Sequence, residues 1–329
     1  MKNFFEKLPA EVRKQLRRRT EPEWCDPMLA TLVREQFSNE DWIFEPKLDG
    51  IRCLAFRKGA KLTLYSRNRI RLNDEFPELL APLLKQPVSN FIIDGEVVAF
   101  EHGVTRFSLL QKRKQKRVPV FYYVFDVVYL EGHDLTHLEL RYRKQLLENA
   151  FSWRDPVRLG EYRQAEGEAY YREACSKGWE GVIAKRADSV YLHKRSMDWL
   201  KFKCENEQEF VVVGYTEPSG QRVGIGALLV GFYENRNLTY AGKVGTGFDM
   251  QTLRDLKRKL SALERSTPAC SVDSLRDAGV HWVQPKFVAQ IAFTEWTGGG
   301  KLRHPRYLGL RTDKRPSDVV REKPQEVRT

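Results

Sequence analysis

The sequence has few cysteines and no spacing that would join them. Its 329 residues include five cysteines, an odd number, scattered along the chain without a Cys-x-x-Cys pair. Close cysteine pairs are typical of structural zinc sites, and dense, even sets are typical of disulfide-stabilised domains. The sequence therefore argues against a disulfide framework and against a structural zinc site.

The sequence also lacks a long apolar run. No stretch reaches membrane-spanning length, and the start, Met1 to Arg19, is studded with charge and does not resemble a signal peptide. Hydrophobic residues still make up 41% of the chain, which is enough for packed cores. We expect a soluble, cytoplasmic protein with no membrane partner.

Acidic residues are outnumbered by basic ones. The chain has 44 Asp and Glu against 56 Lys and Arg, a net charge of +12 and a pI of about 9.4. Such an excess indicates a polyanionic partner, either nucleic acid or an anionic membrane surface.

Many of the cations fall in two clusters, the N-terminal basic segment (Arg13 to Arg19) and the basic loop (Gln111 to Arg117). The first follows apolar residues at near-helical spacing and predicts a short basic helix, packed on the body or lying along a duplex. The second has little apolar material, which favours a phosphate-tracking surface over an amphipathic membrane helix. The predicted DNA contacts of the basic loop are Lys112, Arg113, Lys114, Lys116 and Arg117.

The length of the chain indicates two domains. Up to residue 204, strand and helix patterns in irregular order predict an α+β domain built on antiparallel sheets, with a short helix over Leu29 to Gln36. Beyond it, short strands, abundant glycine and one helix predict a small Greek-key barrel of the OB type. We expect a basic extension over 1–25, the α+β domain over 26–204 and the barrel over 205–329. The barrel domain would end in a charged tail, frayed from Arg315.

The chain is organised around Glu45 to Arg52. Lys47 lies between two apolar runs, and the tight Asp-Gly link predicts adjacent strands with a turn between them. A lysine at such a corner can act as a nucleophile if its surroundings lower its pKa, and the fork of Arg52 suits a phosphate. The alternative is an ordinary hairpin with a solvated lysine, and the motif alone does not decide between them.

Further charges interrupt apolar strands downstream. Glu96 lies where two buried strands are predicted to meet at an Asp-Gly-Glu corner, in Phe91 to Phe100. Glu180 and Lys185 bracket another buried run, and Lys201 and Lys203 share one face of a strand. Because an unpaired buried charge is costly, these positions favour a bound anion and a divalent metal. The cations would grip phosphates and the carboxylates would hold Mg²⁺.

In this order, the charged motifs resemble those of the covalent nucleotidyltransferases. The resemblance is to ATP-dependent DNA ligases, in particular small bacterial repair ligases related to the ligase module of end-joining ligase D. It runs from about Asp26 to Lys314. The matching segments are Lys47 to Arg52, Ser66-Arg67, Asp94-Gly95-Glu96, Phe121 to Asp126, Glu180 to Lys185, Lys201-Phe202-Lys203 and Arg311 to Lys314.

The resemblance implies a reaction and a cofactor. Lys47 would attack the α-phosphate of ATP to give a lysyl-AMP, with Mg²⁺ or Mn²⁺ as the metal. The AMP would pass to the 5′-phosphate of a nick in duplex DNA, and the 3′-hydroxyl would then seal the strand. The barrel would close over the nucleotide and later swing to clamp DNA. The enzyme would be a monomer associated with the bacterial nucleoid, with DNA-repair proteins as partners.

The resemblance also implies a role for each site residue. Adenine would contact Glu45 and stack on Phe125, and Glu96 would bind the ribose and help Glu180 hold the metal. Arg52 and Arg67 would contact the sugar-phosphate and later the nick. The remaining predicted residues would bind phosphates: Lys185, Lys201 and Lys203 at the α-phosphate, and Arg311, Asp313 and Lys314 at the pyrophosphate. Of these, Arg52, Lys201 and Lys203 would act in catalysis with Lys47.

Other classes share parts of this pattern. NAD-dependent ligases carry a nicotinamide-binding domain and a four-cysteine zinc site, which are not found here, so ATP is the expected cofactor. The enzymatic alternatives are an RNA ligase and an mRNA capping guanylyltransferase. The alternative of another class is a non-catalytic OB-fold module that binds nucleic acid.

Overall fold

The structure is a computed structural model that describes residues 3–113, 117–220, 222–271 and 279–326. The chain divides into two compact units. The first comprises the described residues up to Cys204 together with those from Pro324 onward, and the second runs from Glu205 to Lys323. None of the described helices combines the length and apolar character needed to cross a membrane.

The first unit contains fourteen strands and six helices among its described residues. The strands are β1 (Arg17–Arg18), β2 (Leu29–Leu32), β3 (Trp42–Pro46), β4 (Ile51–Lys58), β5 (Lys61–Ser66), β6 (Asn90–Val98), β7 (Phe100–Glu101), β8 (Val104–Thr105), β9 (Phe121–Leu130), β10 (His133–Asp134), β11 (Val157–Leu159), β12 (Arg163–Gln164), β13 (Gly181–Arg186) and β14 (Arg195–Lys203). The helices are α1 (Asn3–Glu6), α2 (Ala10–Gln15), α3 (Leu80–Leu84), α4 (Phe107–Lys112), α5 (Leu140–Ala150) and α6 (Gly167–Ser176).

Two sheets form the body of this unit. The large sheet has the strand order β1-β10-β9-β6-β4-β5, with β11 parallel to β9, and the small sheet has the order β12-β3-β13-β14-β2. Because side chains alternate along a strand, β4 buries Ile51, Cys53 and Ala55 in the main core and turns Arg52 to the opposite face. That face meets the small sheet, since the Arg52 guanidinium lies 4.5 Å from the Phe125 ring centre and 5.9 Å from that of Trp199.

The prediction of adjacent strands joined by a turn at Lys47 is wrong, and so is the alternative of an ordinary hairpin. β3 belongs to the small sheet and β4 to the large sheet, so the link between them carries the chain from one sheet to the other. Asp49 anchors this link, because its carboxylate accepts from Phe107 N at 2.9 Å and its N–H donates to Thr105 at 3.0 Å. Gly50 is required there because a Cβ would overlap the carbonyl oxygen of Val97.

The Asp94-Gly95-Glu96 corner is also wrong, because β6 runs unbroken from Asn90 to Val98. The register against β9 shifts between Asp94 and Gly95. A Cβ at Gly95 would overlap the carbonyl oxygen of Tyr123, so glycine permits this close approach. The charges therefore lie within a central strand, where Asp94 is balanced by the neighbouring Arg52.

Two further local predictions fail in the first unit. The segment predicted as a helix over Leu29 to Gln36 begins with the strand β2, which runs parallel to β14. Cys175 and Cys204 form a disulfide that joins α6 to the residue after β14, whereas Cys25, Cys53 and Cys270 are free and buried. Their separation of 29 residues gave no local signal for pairing.

The N-terminal basic segment packs on the body of the first unit, one of the two arrangements expected. Phe4, Phe5, Leu8 and Val12, which precede it, are buried in the main core. The predicted basic helix is only partly correct, because α2 ends at Gln15 and Arg17–Arg18 form β1, which pairs with β10. Its cations, from Arg13 to Arg19, are exposed. Apolar burial therefore anchors the segment and leaves its charge facing solvent.

The second unit is a small β-structure of the OB-fold type. Its described strands are β15 (Asn206–Thr216), β16 (Leu228–Glu234), β17 (Asn237–Val244), β18 (Glu264–Arg265), β19 (Val280–Val283), β20 (Val288–Phe293), β21 (Glu295–Trp296), β22 (Leu302–Arg303) and β23 (Arg306–Leu310). Its described helices are α7 (Met250–Ser261) and a 3-10 turn over Pro316–Asp318. The long strand β15 pairs with β16, β19 and β20, all antiparallel. The prediction that the tail frays from Arg315 is wrong at Val319, which is buried and whose carbonyl oxygen accepts from Tyr233 N at 2.8 Å.

Candidate active site

Lys47 lies at the end of β3, beside the start of β13. The pairing of these strands continues to its backbone N–H, which donates to Gly181 O at 2.9 Å. This register places the Lys47 ammonium against the Glu180 carboxylate, with which it forms an ion pair. The predicted nucleophile and a predicted metal ligand are therefore in direct contact.

A cleft of about 170 Å³ opens at Lys47. Among the predicted residues, Glu45, Lys47 and Phe125 line it. Trp179 and Gly160 also line it and were missed, because they lie outside the motifs. At Gly160 a Cβ would come within 3.3 Å of the Phe125 Cβ, so the lack of a side chain leaves room beside that ring.

Arg52 is held by Asp94, which the sequence reading had not paired with it. Its Nε lies 2.5 Å and its Nη2 2.6 Å from the two carboxylate oxygens of Asp94, and Tyr191 donates to the same carboxylate at 2.6 Å. Asp94 is fully buried. Its charge and hydrogen bonds raise the pKa of Arg52 above the ordinary value, against the effect of burial. The fork predicted to grip a phosphate is thus occupied by an internal partner.

Glu45 is the centre of a second buried cluster. Its carboxylate oxygens lie 2.6 Å from the ammonium groups of Lys185 and Lys144, one lysine on each oxygen. The Lys185 ammonium also lies 4.2 Å from the Phe125 ring centre and 4.1 Å from that of Trp199. Burial lowers the pKa of Lys185 to about 8, although Glu45 opposes the shift. Lys185 is therefore paired with Glu45 and lies against the Phe125 and Trp199 rings.

Asp126, the single charge in β9, pairs with Arg143 of α5. Both side chains are fully buried, with Nε–Oδ1 at 2.8 Å and Nη2–Oδ2 at 2.9 Å. Arg143 also donates to the carbonyl oxygens of Leu138 and Ser189. The Arg143 guanidinium therefore donates to buried groups of the same unit, which indicates a structural role for the pair.

The remaining predicted residues of the first unit, Lys201, Lys203, Glu96 and Arg67, are not among the residues that line the cleft. Lys201 and Lys203 face Ile183 and Gly181 across β13 and β14. Glu96 pairs in register with Arg52. Ser66 is opposite Cys53, so the next residue, Arg67, lies at the same end of the large sheet as Arg52.

The three predicted residues of the second unit form their own cluster. Arg311 makes two hydrogen bonds to the Asp313 carboxylate, at 2.9 and 2.8 Å, and one to Gln290 at 2.7 Å. Lys314 pairs with Glu209 at 3.0 Å. The Arg311 charge lowers the pKa of the buried Asp313 carboxyl, against the effect of burial. In this conformation the Arg311 and Asp313 side chains are mostly committed to each other.

The basic loop divides into an anchored and an exposed part. Arg113 pairs with Glu78, donates to the Glu75 carbonyl oxygen and lies 4.9 Å from the Phe76 ring centre. Lys112 and Arg117 are exposed. The predicted contacts Lys114 and Lys116 lie outside the described residues.

The carboxylate paired with Lys47 is a ligand of the type that a hard divalent cation takes. Among the described residues, no group of three or more His, Cys, Asp and Glu side chains is placed to hold a metal ion. Mg²⁺ is commonly bound through one or two carboxylates, with substrate phosphates and water completing its shell. The Glu180 carboxylate, which pairs with the Lys47 ammonium, could supply one ligand of such a site.

With this geometry established, comparison with known proteins identifies the fold. Residues 27–203 match the model of the ATP-dependent DNA ligase domain, and residues 221–314 match that of the ATP-dependent DNA ligase C-terminal region. The structure of a mycobacterial DNA ligase D, complexed with ATP and MES, is similar, with a TM-score of 0.66 and 35% identity. That likeness covers 91% of this chain and 98% of the solved one. The fold is therefore a ligase-type nucleotidyltransferase unit followed by an OB-fold unit.

Curated relatives agree with this class. The multifunctional non-homologous end joining protein LigD of Pseudomonas aeruginosa is 39% identical over 313 residues, which cover 92% of this chain and 37% of that protein. A probable DNA ligase of Dictyoglomus turgidum is 31% identical, over 84% of this chain and 54% of its own length. The chain belongs to the ATP-dependent DNA ligase family. It spans well under two thirds of the length of these relatives.

Proposed function

We propose that this chain seals nicks between a 3′-hydroxyl and a 5′-phosphate in duplex DNA, using ATP, as part of DNA repair. The observation that carries the proposal is the placement of Lys47 in a cleft lined by Phe125, within the segment that matches the ligase family. An aromatic face suits a nucleobase. A lysine amine can attack phosphorus and can later act as the leaving group, when the AMP is transferred. The end-joining relative supports a repair role.

The first step forms a bond from Lys47 Nζ to the α-phosphorus of ATP and breaks the bond to pyrophosphate. Because only the uncharged amine is nucleophilic, the ion pair with Glu180 must open and the amine must lose its proton before attack. A Mg²⁺ or Mn²⁺ ion, held by Glu180 with Glu96, would neutralise phosphate charge and favour that loss. Phosphoryl transfer then depends mainly on positioning and charge stabilisation.

Other site residues align the nucleotide and the nick. Phe125 stacks on adenine, beside Glu45, while Glu96 also binds the ribose. Lys185, Lys201 and Lys203 face the α-phosphate side, and Lys185 must exchange its Glu45 partner to reach it. Arg52 and Arg67 bind the sugar-phosphate and then the 5′-phosphate of the nick, for which Arg52 must share or leave Asp94. Arg311, Asp313 and Lys314 orient pyrophosphate after their own pairs rearrange.

We assign residues 26–204 to the adenylation domain and 205–329 to the OB-fold domain, with 1–25 as a basic extension. The exposed cations Lys112 and Arg117 support DNA binding by the basic loop, with Lys114 and Lys116 contributing. The enzyme would act as a monomer on the nucleoid in the bacterial cytoplasm, with repair proteins as partners.

The test uses a duplex with one nick and a labelled 5′-phosphate. Wild-type protein with ATP and Mg²⁺ should convert the label to a phosphatase-resistant joint, and Lys47→Ala should not. Reaction with GTP but not with ATP would favour the capping alternative. Sealing of a nick between RNA strands only would favour the RNA-ligase alternative. Retained DNA binding with no sealing or adenylation under any nucleotide would favour the non-catalytic module.

A further inference from the structure

Helix α5 places two buried cations at consecutive positions, and only one has a structural partner of its own. Arg143 is matched by Asp126 and two carbonyl oxygens. Lys144, which is 2% exposed, reaches Glu45 Oε1 at 2.6 Å and lies 5.0 Å from the Tyr162 ring centre. Lys144 belongs to none of the motifs on which the resemblance to ligases rests.

The cluster around Glu45 carries one more positive than negative charge. Lys144 and Lys185 share a single carboxylate, and each of the three residues is less than 5% exposed. A buried lysine without a carboxylate of its own is costly, and one Glu–Lys pair would satisfy the fold at lower cost. The second lysine therefore points to a function at the cleft.

The cluster touches the cleft at two points. Glu45, in β3, lines it two residues before Lys47, which also lines it. The Lys185 ammonium lies 4.2 Å from the ring centre of Phe125, which also lines the cleft. A displacement of Glu45 would therefore shift Lys185 and, through it, the Phe125 ring, which is proposed to stack on adenine.

We propose that Lys144 is a positioning residue for nucleotide binding: it fixes the Glu45 carboxylate in the cleft wall and, with Lys185, supplies a surplus positive charge beside the bound nucleotide. It does not touch the reacting atoms. This role rests on the proposed function, because it requires that the cleft binds ATP.

The charges around Lys185 give the proposal a pH signature. Burial is the main cause that lowers the pKa of Lys185 to about 8, and Lys144 lowers it further. The negative charges of Glu45 in β3 and Asp126 in β9 raise the pKa of Lys185. Arg52 of β4 contacts the same Phe125 ring as Lys185. Removing the Lys144 charge should therefore raise the pKa of Lys185 and keep it protonated to higher pH.

The test measures self-adenylation of the full chain with ATP and Mg²⁺, for the wild type, Lys144→Met, Lys144→Gln and Lys144→Arg. For Lys144→Met we expect the KM for ATP to rise about tenfold, because the buried ion pair that holds the Glu45 carboxylate is lost, with a limiting rate within about twofold of wild type. The alkaline decline of kcat/KM should shift to higher pH. Lys144→Gln removes the charge but keeps a polar group at this position, so it should show the same pH shift with a smaller rise in KM.

Two variants serve as controls. Lys144→Arg keeps charge and donors and should restore the KM and the pH profile. Arg141→Met removes a cation from the same helix, but one in an exposed pair with Glu139, and should behave as wild type. If all variants fold but even the wild-type chain forms no adenylate, the proposed function itself is refuted.

The proposal is overturned if the neutral variants melt at lower temperature but keep the wild-type KM and pH profile. It is also overturned if they lose limiting rate at unchanged KM, or if neither neutral variant folds while Lys144→Arg is normal. In each of those cases Lys144 has a purely structural role.

Discussion

Replacing Asp94 with asparagine should destabilise the first unit strongly. The Asp94 carboxylate is fully buried and takes two hydrogen bonds from Arg52, at 2.5 and 2.6 Å, and one from Tyr191 at 2.6 Å. Asparagine keeps the shape and one acceptor oxygen but removes the negative charge. The Arg52 guanidinium is then left in a largely apolar setting between Phe125 and Trp199.

The magnitude follows from burial. Removing one partner of a buried ion pair costs about 3–5 kcal/mol, because the remaining charge is uncompensated. We expect about 3 kcal/mol for Asp94→Asn, since the amide oxygen still accepts one hydrogen bond. That is a large part of the roughly 5–15 kcal/mol by which a domain is usually stable.

The assay is urea unfolding followed by tryptophan fluorescence. Five of the seven tryptophans lie in the first unit, so the signal reports mainly its transition. Asp188→Asn is the matched control, because Arg186 grips Asp188 with the same two-pronged geometry, at 3.0 and 2.7 Å, on an exposed surface. Exposed pairs contribute about 0–1 kcal/mol. Equal losses for the two variants would refute the reasoning that burial makes the Arg52–Asp94 pair costly to break.

Three further predictions concern other parts of the site. Phe125→Ala should raise the KM for ATP about tenfold, because stacking on a base contributes about 1–3 kcal/mol, and an unchanged KM would remove Phe125 from the adenine site. The low pKa of Lys185, about 8 against an unfolded value near 10.5, means that its charged form is disfavoured in the fold. Its contribution to the free energy of unfolding therefore rises from pH 8 to 10, where the unfolded chain binds more protons. Wild type should thus gain stability relative to Lys185→Met between pH 7.5 and 9.5 in urea titrations, and a constant difference would contradict this. Combined Lys112→Ala and Arg117→Ala substitution should weaken nick binding, lower the slope of log K against log salt by about two and leave self-adenylation intact, whereas an unchanged nick affinity would contradict the DNA-binding assignment.

The sequence predicted most elements that have local patterns. The strand that carries Lys201 and Lys203 and the buried run before Lys185 were both predicted, and they form β14 and β13. The family was also predicted correctly, because the order and spacing of its motifs extend over almost the whole chain.

The failures concern partners that lie far away in the chain. The strands on either side of Lys47 were predicted to be adjacent, but β3 pairs with β13, about 140 residues later. Leu29 to Leu32 forms a strand because β14 covers it, and that partner lies more than 160 residues downstream. No local propensity contains this information, since pairing depends on tertiary context.

The internal pairs of the site were missed for the same reason. Arg52 and Asp94 lie on neighbouring strands 42 residues apart, and Lys144 and Glu45 come from a helix and a strand 99 residues apart. Charge type alone indicated that a partner was needed, and both a ligand and another side chain satisfy that need. The ligand roles of these residues therefore stay predictions.

The most direct measurement is the intact mass of the purified chain before and after incubation with ATP and Mg²⁺, followed by mapping of the modified peptide. The account predicts a species heavier by one AMP, carried on Lys47 and absent from Lys47→Ala. A chain that never gains this mass, or gains it at another residue, would contradict the account.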